Sequence, residues 1–202
     1  GLTSEAVAGF NAGMRGKKTE LWEGGHRVPC FIRWPGGDLA APQDIHGLTQ
    51  VQDLLPTLLD LTGVPAEGFS DFDGQSLAPV LRGQAEVDPD RTLIINYSRM
   101  PGFANYPSPH SQVQMTREGA GVLWRHWRLL EDRELYNLEA DPLQATNVID
   151  QHPDIVARMR KPLDAWWERV GPTANEIQRI IVGTEHENPS RITGCELSLI
   201  HI

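Results

Sequence analysis

Apolar residues recur at helical spacing in two stretches of the chain. Between residues 48 and 61, and again between residues 153 and 170, they return every three or four positions, which predicts two amphipathic helices. In the first stretch Pro56 is tolerated in an opening turn and costly in a helix interior, so we expect that helix to begin nearer residue 52 than residue 48, or to be kinked. Gly63 then supplies the left-handed conformation that commonly ends a helix.

Shorter apolar runs predict β-strands. Residues 28–34 form a run that is typical of a buried strand, and Cys30 within it is expected to fill core volume. Residues 92–97 predict a further strand. Residues 121–130 and 134–138 predict the two arms of a hairpin.

Composition sets limits on the classes of protein to consider. With 202 residues and 40% hydrophobic content, the chain is long enough for one core and a small subdomain. A net charge of -9 argues against a general nucleic-acid-binding protein, which needs dense positive charge. No run of 18 apolar residues occurs, so no membrane span is predicted. The cysteines, Cys30 and Cys195, are too few and too isolated for a disulfide framework or a zinc site.

Both ends of the chain differ from a typical domain. The first residue is Gly1 and no signal-peptide pattern follows it, so we expect the chain to be the later part of a longer protein. Residues 171–194 are polar without a clear period, and the run 196–202 turns abruptly apolar. We therefore expect residues 173–202 to form a tail whose last residues, 196–202, are not native.

Positive charge is concentrated in residues 15–35 of this acidic chain. The cations there are Arg15, Lys17, Lys18, Arg27 and Arg33. Three glycines at positions 16, 24 and 25 allow a positive φ or a close approach to a ligand. A glycine-rich loop with lysines is a candidate oxyanion site, because Lys offers a compact point charge. A solvated basic loop is the alternative.

Four ordered motifs resemble the sulfatase family of the alkaline-phosphatase superfamily. They are Gly-Lys-Lys…Glu-Gly-Gly-His-Arg-Val-Pro…Trp-Pro-Gly over residues 16–36, the helix over 53–63, Asp-Gly-Gln-Ser-Leu-Ala-Pro-Val-Leu-Arg-Gly over 73–83, and Glu-Leu-Tyr-Asn-Leu…Asp-Pro…Gln…Asn over 134–147. The resemblance implies an α/β fold class. Residues 1–85 would be the C-terminal part of an alkaline-phosphatase-like sulfatase domain, and residues 86–172 a small antiparallel sheet subdomain with a packed C-terminal helix.

The resemblance also implies which residue acts on the substrate. In sulfatases a lysine five residues before the Glu of Glu-Gly-Gly contacts the sulfate, and Lys18 occupies that position. Lys18 is therefore the predicted catalytic and substrate-binding residue. Glu23 and Arg27 are expected to fix the loop by pairing with the backbone or with each other.

Three further residues are candidates for substrate contact. His26 lies in the Gly-Gly turn, where a structural histidine is an equally good explanation, and Arg15 begins the basic stretch. His110 lies in a proline-rich loop that either reaches the rim of the pocket or belongs to the solvent-exposed surface.

Two cofactors are implied by the resemblance, namely Ca²⁺ and a formylglycine made from Cys or Ser in a Cys/Ser-x-Pro/Ala-x-Arg motif. This chain contains neither that motif nor the Asp-Asn pair that holds the metal in the family. No metal ligand is therefore predicted here, and both groups are expected upstream. The chain alone is expected to be inactive, as the C-terminal portion of an enzyme that hydrolyses aryl or carbohydrate sulfate esters.

The expected partner is a sulfated small molecule or glycan, with no nucleic acid and no membrane span. Family resemblance suggests a periplasmic or secreted protein, and it leaves the oligomeric state open. Two other functions fit the same residues. One is a phosphodiesterase or phosphonate hydrolase of the same superfamily, and the other is a non-catalytic anion-binding domain.

Overall fold

The structure, a computed structural model, describes residues 10–18, 20–66, 71–96, 115–176, 179–182 and 190–193. The α-helices in this part of the chain are α1 Glu23–His26, α2 Leu54–Thr62, α3 Ala78–Leu81 and α4 Pro153–Val170. The strands are β1 Thr92–Asn96, β2 Ala120–Trp124, β3 Trp127–Leu130, β4 Glu134–Asn137, β5 Arg179–Val182 and β6 Ser190–Thr193. His110 and the run 196–202 lie outside the described residues.

Strands β1 to β4 form one antiparallel sheet in which each strand pairs with the next along the chain. One row across the sheet contains Ile94, Val122, Leu129 and Leu135. The neighbouring row contains Leu93, Leu123, Arg128 and Tyr136. Successive residues of a strand point to opposite faces, so these two rows define the two faces of the sheet. The hairpin predicted from residues 121–130 and 134–138 is confirmed where β3 turns into β4.

The sheet has one strand more than the sequence pattern indicates. The prediction of a single arm over residues 121–130 is wrong, because a turn at Arg125 and His126 separates β2 from β3. Arg125 has a φ of 49°, and Trp124 and Trp127 face each other across the turn. The turn contains no Gly or Asn, which are the residues that usually mark a tight hairpin, so the sequence gives no signal for it.

Helix α4 covers one face of the sheet and spans the predicted residues 153–170. Its buried residues Val156, Met159 and Leu163 recur at helical spacing and join Val122 and Leu129 in one hydrophobic core. The periodicity that predicts the helix is therefore also the pattern that packs it onto the sheet. No helix in the described part of the chain is long and apolar enough to cross a membrane.

Helix α2 begins at Leu54 behind a short 3-10 turn, which confirms the later of the two possible starts. Asp53 in that turn is completely buried, and its carboxylate accepts a hydrogen bond from the backbone N–H of Gln50 at 2.8 Å. Arg91, next to β1, donates two further hydrogen bonds to Asp53 at 2.6 and 2.8 Å. Gly63, with a φ of 67°, ends the helix as predicted.

The buried strand predicted over residues 28–34 is not formed. Val28 and Phe31 are 77% and 92% exposed, and Cys30 is exposed instead of filling a core. A strand needs a neighbour that satisfies its backbone N–H and C=O groups, and no described segment pairs with this one. The apolar side chains of residues 28–34 are consequently left uncovered.

Part of the expected tail has regular structure. Strands β5 and β6 pair in an antiparallel ladder with Ile180 opposite Ile192. Each strand has four residues and lies in a largely polar stretch, which is too short for an alternating pattern to stand out.

Candidate functional site

The basic segment, which we define as residues 15–27, lies against the face of the sheet opposite α4. Arg128 donates a hydrogen bond from Nε to Glu23 Oε1 at 2.6 Å, and Arg15 donates one to the Tyr136 hydroxyl at 3.1 Å. Arg128 and Tyr136 are directly opposite each other on β3 and β4, so their side chains leave the sheet on one side. The sheet thus carries the helix on one face and the basic segment on the other.

Lys17 and Lys18 lie on an exposed turn of this segment. The backbone N–H of Glu20 donates to the carbonyl oxygen of Lys17 at 3.0 Å, and the N–H of Lys17 donates to the Glu20 carboxylate at 3.0 Å. Both lysine side chains are exposed, and neither ammonium is paired with a carboxylate of the described residues. The predicted role of Lys18 in binding sulfate stays a prediction.

The backbone of the segment folds back on itself around this turn. The N–H of Gly24 donates to the carbonyl oxygen of Arg15 at 2.8 Å, which closes a loop with Lys18 inside it. A Cβ atom at Gly24 would overlap the backbone oxygen of Gly16, and one at position 25 would overlap the backbone oxygen of Glu20. These glycines are therefore required by close backbone contact.

Glu23 is the buried centre of the segment, with only 3% of its surface exposed. Its carboxylate pairs with Arg128, whose NH1 also donates to two backbone carbonyl oxygens at 2.9 Å each. Its backbone N–H donates to the side-chain oxygen of Gln144 at 2.9 Å. The expectation that Glu23 fixes the loop is confirmed, although its main partner is Arg128, because Arg27 is 3.8 Å away.

Arg15 is a second link between the segment and the sheet subdomain. Besides the Tyr136 hydroxyl, its NH1 donates to the carbonyl oxygen of Gln144 at 2.5 Å. The guanidinium lies 4.3 Å from the centre of the Trp22 ring, a cation–π distance. The charge of Arg15 is thus engaged within the protein, and its contact with a substrate stays a prediction.

His26 is mostly buried, with 13% of its side chain exposed. Burial lowers the pKa of His26, and Arg128 and Arg27 act in the same direction, against Glu23 and a backbone hydrogen bond with Leu21. A lowered pKa leaves the ring neutral at pH 7. Its Nε2 is 3.6 Å from Glu23 Oε1, which is too long for a hydrogen bond. His26 as a substrate contact remains a prediction.

Sequence reasoning did not identify Arg128 or Gln144 as part of this site. Arg128 lies in a strand whose other members are apolar, and a lone charge in a buried strand signals a buried counter-ion. Gln144 has a positive φ of 53° and is completely buried, and although it lies in the motif over residues 134–147, that motif predicts no contact with the basic segment. His110, the remaining predicted contact, lies outside the described residues.

The described residues do not fit the metal that the resemblance implies. They contain no group of three or more His, Cys, Asp or Glu side chains that could hold an ion.

Known sulfatases are similar to this chain in sequence. A sulfatase from Formosa agariphila is 29% identical over 167 residues, which is 77% of this chain and 30% of that protein. The steryl-sulfatase of Mus musculus is 40% identical over 86 residues, 43% of this chain and 14% of that protein. The chain thus spans less than a third of the length of these relatives.

A protein solved in complex with its substrate D-glucosamine-2-N,6-O-disulfate has a TM-score of 0.43 and 23% identity to this chain. The similarity covers 62% of this chain and 25% of that one.

The family comparison covers most of the chain. The family described as N-sulphoglucosamine sulphohydrolase, C-terminal, matches residues 15–168, which include the basic segment, the sheet and nearly all of α4. The resemblance to sulfatases is confirmed, and so is the expected antiparallel sheet with a packed C-terminal helix. The chain belongs to the N-sulphoglucosamine sulphohydrolase C-terminal family of sulfatases.

Proposed function

We propose that this chain is the C-terminal portion of an enzyme that hydrolyses sulfate esters, and that Lys18 is its residue in contact with the substrate. The observation that carries the proposal is the family match over residues 15–168, which begins at the basic segment. Similar proteins are named steryl-sulfatase, choline-sulfatase and N-acetylgalactosamine-6-O-sulfatase, which supports a sulfated small molecule or glycan as the substrate.

The chemistry explains why a lysine belongs at this position. Negative charge builds up on the oxygens around sulfur and on the leaving oxygen as the S–O ester bond breaks. A fixed cation beside those oxygens stabilises the charge more in the transition state than in the ground state. Because the Lys18 ammonium has no carboxylate partner among the described residues, its charge is available for this role.

We further propose that the nucleophile and the metal come from the rest of the full-length protein. The chain lacks a Cys/Ser-x-Pro/Ala-x-Arg motif, so the formylglycine would be formed elsewhere. The Ca²⁺ ion would be bound by residues outside this chain as well. A periplasmic or secreted location completes the proposal, and the family resemblance is its support.

Replacing Lys18 in the full-length protein tests its role. We expect Lys18→Ala to lower kcat on an aryl sulfate by about 100-fold or more, the size of effect seen when an oxyanion-stabilising donor is removed. Lys17→Ala is the matched control, because it removes a neighbouring exposed charge. Steady-state kinetics would contradict the proposal if Lys18→Ala kept normal turnover or if both variants lost activity equally.

The substrate class is tested by a panel assayed with the same full-length protein. The panel contains an aryl sulfate and an O-sulfated monosaccharide, with phosphate monoesters and diesters of the same alcohols, and also N-sulfated glucosamine, in which the sulfur is bonded to nitrogen. The proposal predicts a higher kcat/KM for a sulfated member than for its phosphate counterpart. Preference for a phosphodiester would instead favour the phosphodiesterase alternative, and no hydrolysis of any member would favour an anion-binding domain.

A further inference from the structure

The loop that contains Lys18 is held on its N-terminal side by the sheet. Arg15, three residues before Lys18, donates to the hydroxyl of Tyr136 on β4 at 3.1 Å. Tyr136 is itself 2% exposed and therefore a fixed point in the fold. The backbone hydrogen bond from Gly24 to Arg15, at 2.8 Å, ties the far end of the loop to the same place.

The C-terminal side of the loop is held by the same subdomain. Glu23, five residues after Lys18, is bound through its carboxylate by Arg128 on β3 and through its backbone N–H by Gln144. The side chains of Glu23 and Arg128 are 4% and 7% exposed, so water does not compete for this contact. Gln144 serves both sides, because its backbone oxygen also accepts from Arg15.

We infer that Arg128 and Gln144 are positioning residues that act through Glu23, fixing the basic segment so that the Lys18 ammonium meets the sulfate group in one geometry. The inference rests on the proposed function, since it assigns the sheet subdomain a part in the same reaction. Neither residue touches the substrate.

A geometric role follows from the energetics of such a pair. Desolvation of two buried charges offsets much of their attraction, so a buried ion pair adds little net stability over an apolar pair. What the pair does provide is a single arrangement, because Arg128 meets Glu23 and two backbone oxygens in one orientation. An error of about 1 Å in the placement of a catalytic group can lower a rate by about 100-fold.

Two variants of the full-length protein test the inference. Gln144→Met removes the hydrogen bond to Glu23 and keeps a side chain of similar length. Glu23→Gln combined with Arg128→Met removes both buried charges together, so no uncompensated charge remains. We expect each to lower kcat/KM on an aryl sulfate by about 10-fold to 100-fold at a temperature well below its Tm.

The matched control separates geometry from stability. Val156→Ala weakens the core between α4 and the sheet. Val156 is 4% exposed and lies on the face of the sheet opposite the basic segment. This variant is expected to have a lower Tm and a normal kcat/KM. If Val156→Ala loses activity in proportion to Tm as the positioning variants do, the subdomain contributes stability only and the inference is wrong.

Combination with Lys18→Ala gives the decisive measurement. If Arg128 and Gln144 act through Lys18, adding Gln144→Met to Lys18→Ala causes no further loss of kcat/KM. An independent, additive loss overturns the inference. Should the charge-free double variant fail to fold, the Gln144→Met combination decides alone.

Two outcomes separate the positioning role from the proposed function. Normal turnover of Lys18→Ala contradicts the proposed function. A large effect of Lys18→Ala with full activity of Gln144→Met contradicts the positioning role only.

Discussion

At the scale of single residues, Asp53 shows how one buried carboxylate joins distant parts of the chain. It accepts hydrogen bonds from Gln50, from the N–H of Gln75 and from the Arg91 guanidinium, and these partners lie up to 38 residues away. Burial works to raise the pKa of Asp53, but the hydrogen bonds from Arg91 and the two backbone N–H groups outweigh it and hold the pKa below its usual range.

This lowered pKa predicts an acid-dependent stability. The carboxylate stabilises the fold fully above its unfolded pKa of about 4, and this contribution is lost as the pH falls through the lower folded value. Asp53→Asn should cost about 3–5 kcal/mol at pH 7, because Arg91 is left buried without its partner. Thermal unfolding between pH 7 and pH 3 would show a smaller decrease for the variant than for the wild type.

Asp60 provides the matched control for that experiment. It pairs with Arg82 but is 42% exposed, so Asp60→Asn should change the free energy of unfolding by only about 0–1 kcal/mol. Equal losses for the two variants, or an unchanged pH dependence in Asp53→Asn, would show that burial of Asp53 does not have the predicted effect.

At the scale of elements, α4 determines the stability of the sheet subdomain. Leu163 is 1% exposed and packs into the core formed with the sheet. Leu163→Ala should lower the free energy of unfolding by about 2–5 kcal/mol, as lost burial and an unfilled cavity combine. Lys161→Ala, on the exposed side of the same helix, should stay within about 0.5 kcal/mol. If urea unfolding gave similar free energies of unfolding for Leu163→Ala and Lys161→Ala, Leu163 would not be part of the core that stabilises the subdomain.

The elements also show what a sequence can and cannot predict. Helices α2 and α4 follow from their periodicity because helical packing repeats within a few neighbouring residues. The turn at Arg125 has no such local marker and depends on Trp124 and Trp127 meeting in the core. In the candidate site the motif predicts roles for Lys18 and Glu23, whereas the pairing of Glu23 with Arg128 joins residues 105 positions apart and is seen only in the structure.

At the scale of the whole molecule, the described part of the chain leaves apolar surface uncovered. Val28 and Phe31 are largely exposed, and Leu55 and Leu58 of α2 are 50% and 54% exposed. Single exposed apolar residues are common, but residues 28–34 and α2 each have several, which favours cover by another segment. Under the proposed function, we expect that segment to be the remainder of the sulfatase domain.

Cys30 allows this packing to be measured. Its thiol is exposed in the 202-residue chain, so a maleimide should react with it at the rate of an unhindered thiol. In the full-length protein we expect residues 28–34 to be covered and the reaction to slow by at least about 10-fold, because labelling would then need local opening. A Cys195→Ser background restricts the signal to Cys30 in the 202-residue chain, and in the full-length protein the labelled peptide that contains Cys30 is quantified by mass spectrometry. Equal rates in the two proteins would contradict the predicted packing.

The glycines at positions 24 and 25 affect how a match to the Glu-Gly-Gly signature in another sequence should be interpreted. Even a methyl group there would collide with main-chain oxygens, so the Glu-Gly-Gly signature is demanded by how the polypeptide crosses itself. The requirement for glycine at these two positions remains in a protein that has lost its catalytic activity. The Glu-Gly-Gly signature therefore indicates common descent and a shared backbone conformation. An active enzyme has to be recognised from its catalytic residues.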